Sequence, residues 1–163
     1  MRPLPSVEEL KSLVDYNPET GEMRWKISIN PRAPKGRLCA TKTALRSLSF
    51  LYKRRRIYVH RAAWAIVHGK WPEKGIDHIN CDAFDNSIKN LREATQAQNL
   101  YNRRLKPNSS GARNVRRVSE GGQWKVKIRV NGIIYGSLHP TLEEADQEAR
   151  RLRSELHGEF ARH

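Results

Sequence analysis

Residues 77–99, DHINCDAFDNSIKNLREATQAQN, constrain this chain more than any other stretch. Asp77 and His78 stand side by side, a polar loop follows, and Asn90 closes that loop before the apolar Leu91. Thr95 and Gln98 have the spacing of a capping box, in which the threonine oxygen takes a free backbone N–H and the glutamine reaches back. That spacing predicts a helix running to about Arg104, with Asn99 in its first turn. Residues 91–94 leave room only for a short strand, and residues 75–79 read as its partner. The local order is therefore strand, loop, strand, helix.

Residue chemistry in this stretch suits hydrolysis of a phosphodiester with one metal ion. Such a reaction needs a metal ligand or two, a base for the attacking water, and a group that orients the base. Asp77 offers a hard anionic oxygen of the kind magnesium or manganese prefers. The Asn99 amide oxygen is a neutral second ligand, which leaves positions open for phosphate and water. His78 is the candidate general base, and the side-chain carbonyl of Asn90 is the expected acceptor for its other ring nitrogen.

These residues resemble the His-Asn-His (HNH) endonuclease motif of the ββα-metal nucleases. His78 matches the first histidine, Asn90 the central asparagine and Asn99 the last position. The run VHRAAWAIVHGKWPEKGIDHIN, residues 59–80, is similar to the segment that precedes the motif in small phage and intron-borne HNH proteins. Asn99 stands where the motif's name expects histidine, a variant known from the homing-endonuclease branch, and Cys81 stands where glycine is usual. The resemblance implies a phage-type, homing endonuclease that acts on DNA with one divalent ion, Mg2+ or Mn2+.

Charge points to the same class of partner. Lys and Arg outnumber Asp and Glu by 31 to 17 in 163 residues, a net charge of +14 that suits a polyanion. Residues 23–72 contain thirteen Lys and Arg and no acid, a segregation that favours phosphate contact over a merely solvated face. Lys53, Arg54, Arg55 and Arg56 are the densest local candidates for DNA contact. No long apolar run or lipidation signal marks a membrane protein, and residues 1–15 lack a secretory pattern, so a cytoplasmic location is expected. Cys39 and Cys81 are too few for a disulfide framework or a four-cysteine zinc site and read as reduced.

Ahead of the motif, residues 6–14 predict a short helix capped by Ser6, with Val7, Leu10, Leu13 and Val14 on one face. A turn at residues 17–21 leads into a strand over 22–29, and a second hairpin pairs residues 45–51 with 57–60 through the basic run. Residues 61–68 predict a helix ended by Gly69. His60 and His68 read as packing or surface histidines.

Residues 103–111, with Pro107, Asn108, Ser109 and Ser110, read as a linker that separates a domain over 1–106 from one over 107–163. Three strands follow, 112–118, 123–130 and 133–138, the last two joined by the strong hairpin signal Asn131-Gly132. Alternation in the middle strand sets Trp124, Val126, Ile128 and Val130 on one face and Lys125, Lys127 and Arg129 on the other. A helix over 142–157, capped by Thr141, carries Leu142, Ala145, Ala149, Leu152 and Leu156 as the apolar stripe that covers the sheet. Residues 109–162 resemble the APETALA or ethylene-response-factor DNA-binding domain through GARNVRR, QWKVKIRVNG, YGSL, TLEEADQEARRL and HGEFA. That resemblance implies DNA contacts from Arg113, Arg116 and Arg129, beside the basic side chains of Arg117, Lys125 and Lys127; Asn114 replaces the family's usual glycine.

The expectation is an α+β chain: a ββα-metal nuclease module followed by a three-stranded antiparallel sheet packed on one helix. It would cleave double-stranded DNA as a monomer, and one active site per chain implies nicking of one strand. Two alternatives stay open: a DNA-binding regulator whose nuclease half is inactive, and a nuclease directed at RNA.

Overall fold

Helix α1, Val7–Leu13, begins where Ser6 accepts a hydrogen bond from the Glu9 backbone N–H at 3.0 Å. Its Val7, Leu10 and Leu13 are buried, and Leu10 has no exposed surface. The computed structural model describes residues 3–42, 47–103, 108–119 and 121–162. It is a mixed α/β structure with small antiparallel sheets, and it divides into two compact units, residues 1–96 and 97–163. The division falls inside a helix. The domain boundary expected between residues 106 and 107 lies outside the described residues, as does part of the strand expected from residue 45.

In the first unit, α1 runs straight into β1, Val14–Tyr16, which pairs antiparallel with β2, Met23–Trp25. Val14, expected on the helix, is therefore a strand residue, and the strand expected over 22–29 is shorter. The turn between β1 and β2 explains both. Asn17 Oδ1 accepts from the backbone N–H groups of Glu19 and Thr20, and the Gly21 N–H donates to the Asn17 carbonyl, so the chain reverses at once.

A three-stranded sheet follows in the order β3, Thr41–Lys42, then β4, Leu48–Tyr52, then β5, Arg55–Tyr58. Helix α2, Val59–His68, continues from β5 and ends at Gly69, whose φ of 73° is the left-handed conformation that glycine takes at no steric cost. One core joins these elements: Trp25 meets Phe50 edge-on with ring centres 5.3 Å apart, and Met23, Ile57, Val59, Ala62 and Ala63 surround them. The Cys39 thiol lies in this core and donates to the Met23 carbonyl at 3.0 Å.

The chain then enters β6, Gly75–His78, which pairs antiparallel with β7, Leu91–Ala94, before α3, Gln96–Asn102. Arg61 on α2 aims this hairpin, because its guanidinium donates to the carbonyls of Pro72 and Lys74, both at 3.0 Å. Glu93 on β7 accepts the backbone N–H of Glu73 at 2.8 Å and holds the entry from the other side.

The second unit has its own core. Strands β8, Val115–Arg117, β9, Trp124–Val130, and β10, Ile133–His139, form an antiparallel sheet with β9 in the centre. Asn131 and Gly132, with φ of 51° and 84°, make the two-residue turn between Val130 and its partner Ile133. Helix α4, Leu142–His157, begins at Thr141, whose hydroxyl accepts from the Glu144 N–H. Ala145, Ala149 and Leu152 of α4 share a core with Val115, Val126 and Ile128 of the sheet. No helix among the described residues is long and apolar enough to cross a membrane.

Candidate active site

The hairpin of β6 and β7 carries Asp77 and His78 at the end of one strand, with a loop of residues 79–90 between the strands. Register sets Asp77 opposite Arg92 and His78 opposite Leu91. Asp77 is buried at 7% exposure, and its Oδ2 takes the Arg92 guanidinium as a fork, with Nε and Nη2 each at 2.9 Å. Both charge-assisted hydrogen bonds converge on that one oxygen and hold the carboxylate there.

His78 is half-buried, and its Nε2 lies 3.1 Å from Asn86 Oδ1. The His60 ring stands edge-on to it, with centres 5.3 Å apart and planes at 80°. His60 itself stacks on Tyr58 at 5.6 Å. Burial, followed by the charges of His78 and Arg61, pushes the His60 imidazole down to about 4, and its Nδ1 is buried without a hydrogen-bond partner. His60 is thus an uncharged wall for the His78 ring.

Asn90 does not have the role expected of it. Its Oδ1 accepts from the backbone N–H of Asn80 at 2.9 Å, and its Nδ2 donates to the Asp85 carbonyl at 2.7 Å, so the amide laces the two ends of the loop together. Asn86 meets the ring instead. The rest of the loop is tied by short-range bonds. Asn80 Nδ2 donates to Asp85 at 2.8 Å, the Ser87 hydroxyl to Asp85 at 2.6 Å, and the Asp82 N–H to Asn80 Oδ1 at 2.7 Å. Hydrogen bonding, first from the Ser87 side chain, holds the Asp85 carboxyl below its ordinary value against the opposing effect of burial. Cys81 adopts φ of 61° in this loop.

Asn99 lies on α3. Among the described residues no three His, Cys, Asp or Glu side chains gather as a metal site. A carboxylate and an amide oxygen are nevertheless hard donors that fit Mg2+ or Mn2+, ions that keep several positions for water and phosphate rather than a full protein cage. Asp77 lies in the first unit and Asn99 in the second, and each is a donor of that kind.

The basic candidates divide by environment. Lys53 and Arg54 form the exposed turn between β4 and β5, and Lys53 pairs with Glu9 of α1 at 2.7 Å; Arg56 is exposed and Arg55 half-buried. On the second unit Arg116, Arg117, Lys127 and Arg129 are exposed and Lys125 is half-buried. Arg113 is drawn inward instead, where its Nη2 donates to the Tyr101 carbonyl at 2.9 Å. Tyr101 in turn stacks flat on His157, with ring centres 3.9 Å apart. Arg153, buried to 1% exposure, donates to the Arg113 carbonyl at 2.8 Å. It sits among the apolar positions of α4, where stripe counting does not look for a cation.

Comparison with known proteins places a name beside this geometry. Residues 57–101 match the family model described as HNH endonuclease. The chain is 37% identical over 109 residues to an uncharacterized HNH endonuclease of Acanthamoeba polyphaga mimivirus, a match covering 65% of this chain and 56% of that protein. It is 32% identical over 106 residues to protein 3.8 of Escherichia phage T7, covering 63% of this chain and 87% of that protein. The chain thus spans little more than half the length of the mimivirus relative and most of the phage protein. No solved structure matches it.

Proposed function

We propose that this chain, whose residues 57–101 match an HNH endonuclease domain, is a metal-dependent DNA endonuclease of the homing type that nicks one strand as a monomer. The observation that carries this reading is the placement of His78. It ends β6 beside Asp77, is held at Nε2 by a buried amide, and lies inside the matched residues 57–101.

In the proposed reaction His78 takes a proton from the attacking water through its other ring nitrogen, Nδ1. Asn90 keeps the loop closed around it, and the His60 ring limits how far it can swing. Asp77 and Asn99 are the proposed holders of one divalent ion, which when bound neutralises charge on the scissile phosphate and the leaving 3′ oxygen. Arg92 orients Asp77 for that purpose.

Addressing is proposed to lie in residues 107–163, whose sheet carries Arg116, Arg117, Lys125, Lys127 and Arg129 in the manner of an APETALA-type module. The exposed Arg and Lys side chains of β8 and β9 support this reading. Arg113 is the weakest member of the set, since one arm of its guanidinium is committed to Tyr101. Lys53, Arg54, Arg55 and Arg56 are the proposed contacts of the first unit with the DNA backbone.

The test is incubation of the purified protein with supercoiled plasmid, with magnesium, manganese or a chelator. Relaxed circles should form only with metal, and His78→Ala should slow their formation by about two to four orders of magnitude with DNA affinity little changed. Asp77→Asn and Asn99→Ala should recover partly at high manganese, whereas His78→Ala should not. Binding without relaxation under all conditions would instead mark a DNA-binding regulator.

A further inference from the structure

We propose that Asn86 is the positioning residue for His78, and that the N-terminal turn at residues 17–21 is the abutment that holds Asn86 in place. The inference rests on the nuclease reading for its consequence, but its geometry is independent of it.

Asn86 has no exposed surface. Its Nδ2 donates to the Phe84 carbonyl at 3.2 Å, and that oxygen can only accept. The amide is therefore oriented, and its Oδ1 faces the His78 ring at 3.1 Å. An oxygen there requires a donor, so Nε2 carries the proton and Nδ1 keeps the lone pair. The base nitrogen is thus chosen by a residue that never meets the substrate.

What fixes Asn86 comes from outside residues 57–101. The Tyr16 hydroxyl donates to the Asn86 carbonyl at 2.8 Å, and the Ile88 N–H donates to the Pro18 carbonyl at 2.9 Å. Burial, reinforced by the charge of Asp85, pushes the Tyr16 phenol up to about 12, so it remains a donor. Gly21 completes the contact. A Cβ built there would lie 2.4 Å from the Asn86 carbonyl carbon and 2.5 Å from the Ser87 nitrogen, so only a glycine lets the turn lie against this peptide. Its φ of 74° favours glycine a second time. The first hairpin is in this sense part of the site.

The experiment compares the full chain with Asn86→Leu, Asn86→Asp and Tyr16→Phe, reading single-turnover cleavage, DNA affinity and the ¹⁵N–¹H correlation of the His78 imidazole. The parent should show an Nε2 proton protected from solvent exchange. Asn86→Leu should lose that signal and cleave about 10- to 100-fold more slowly, the span typical of lost orienting partners, with affinity within about twofold. Asn86→Asp, which keeps an acceptor oxygen, should retain the signal and recover part of the rate, and Tyr16→Phe should fall between the two. A proton on Nδ1 of the parent ring, or a folded Asn86→Leu protein that cleaves at the parental rate, would overturn the proposal. If Asn86→Leu does not fold, the parent spectrum and Asn86→Asp still decide it. A parent that shows the protected proton yet cleaves no DNA would sink the nuclease reading and leave the ring geometry standing.

Discussion

His60 has the most to say about acid. Its ring is packed on Tyr58, faces the edge of His78 and follows directly before Arg61, and it titrates at about 4 in the folded chain against an ordinary 6.5. Above pH 6.5 it is neutral folded and unfolded and adds no pH dependence. Between 6.5 and 4 the unfolded chain takes up a proton that the folded chain refuses, so stability falls as pH falls, by at most about 3 kcal/mol over the whole interval. His60→Phe should flatten the urea midpoint between pH 7 and pH 5, and an equally acid-sensitive variant would assign the loss to other groups. Among single residues, the place of Asp77 and His78 at the end of a strand was legible, because residues 91–94 leave room only for a short strand and residues 75–79 read as its partner. Asn86 was not, since Asn80, Asn86 and Asn90 share one loop and spacing alone cannot tell which amide turns to the ring. Cys81 and Asn114 make a related point. Both stand where the resembling families carry glycine, and both have φ above 60°.

At the scale of elements, local chemistry was easiest to read where a side chain closes on its own backbone. Ser6, Thr141 and the Asn131-Gly132 turn stand where the caps and reversal were expected. Strand β1 was hidden because Val14 fits the apolar stripe of α1 as well as a strand, and only the pairing with Trp25 decides between them. The turn between β4 and β5 is a different case. Tyr52 pairs with Arg55, so Lys53 and Arg54 are the whole turn, with φ of 47° and 62°. Two-residue hairpin turns of this kind favour Asn-Gly, and a left-handed non-glycine residue is costly. Replacing the pair by Lys53→Asn with Arg54→Gly should raise stability by about 0.5–1 kcal/mol in urea titration, even though the exposed bridge from Lys53 to Glu9 is lost. No gain would mean that the bridge offsets the backbone cost. A gain would mean that stability is given up at this turn to keep two cations exposed.

For the molecule as a whole, charge is the main issue. The chain carries +14, and exposed cations stand, among other places, on the turn between β4 and β5 in the first unit and on β8 and β9 in the second. Each phosphate contact removed should lower the slope of log affinity against log salt by about 1. Lys127→Ala with Arg129→Ala should therefore give a shallower slope and a changed pattern of nicks along a long duplex. An unchanged slope and pattern would move the reader to the basic first half.

The two cysteines differ sharply in chemical access. Burial holds the Cys39 thiol, donated to the Met23 carbonyl, up at about 12, where almost no thiolate exists at neutral pH. Cys81 is only partly covered, and its backbone N–H bonds to the carbonyl of His78. The native chain therefore offers a single attachment point for a fluorophore or spin label, three residues along from the proposed base. Whether the loop moves when DNA is added can be followed there without altering the sequence.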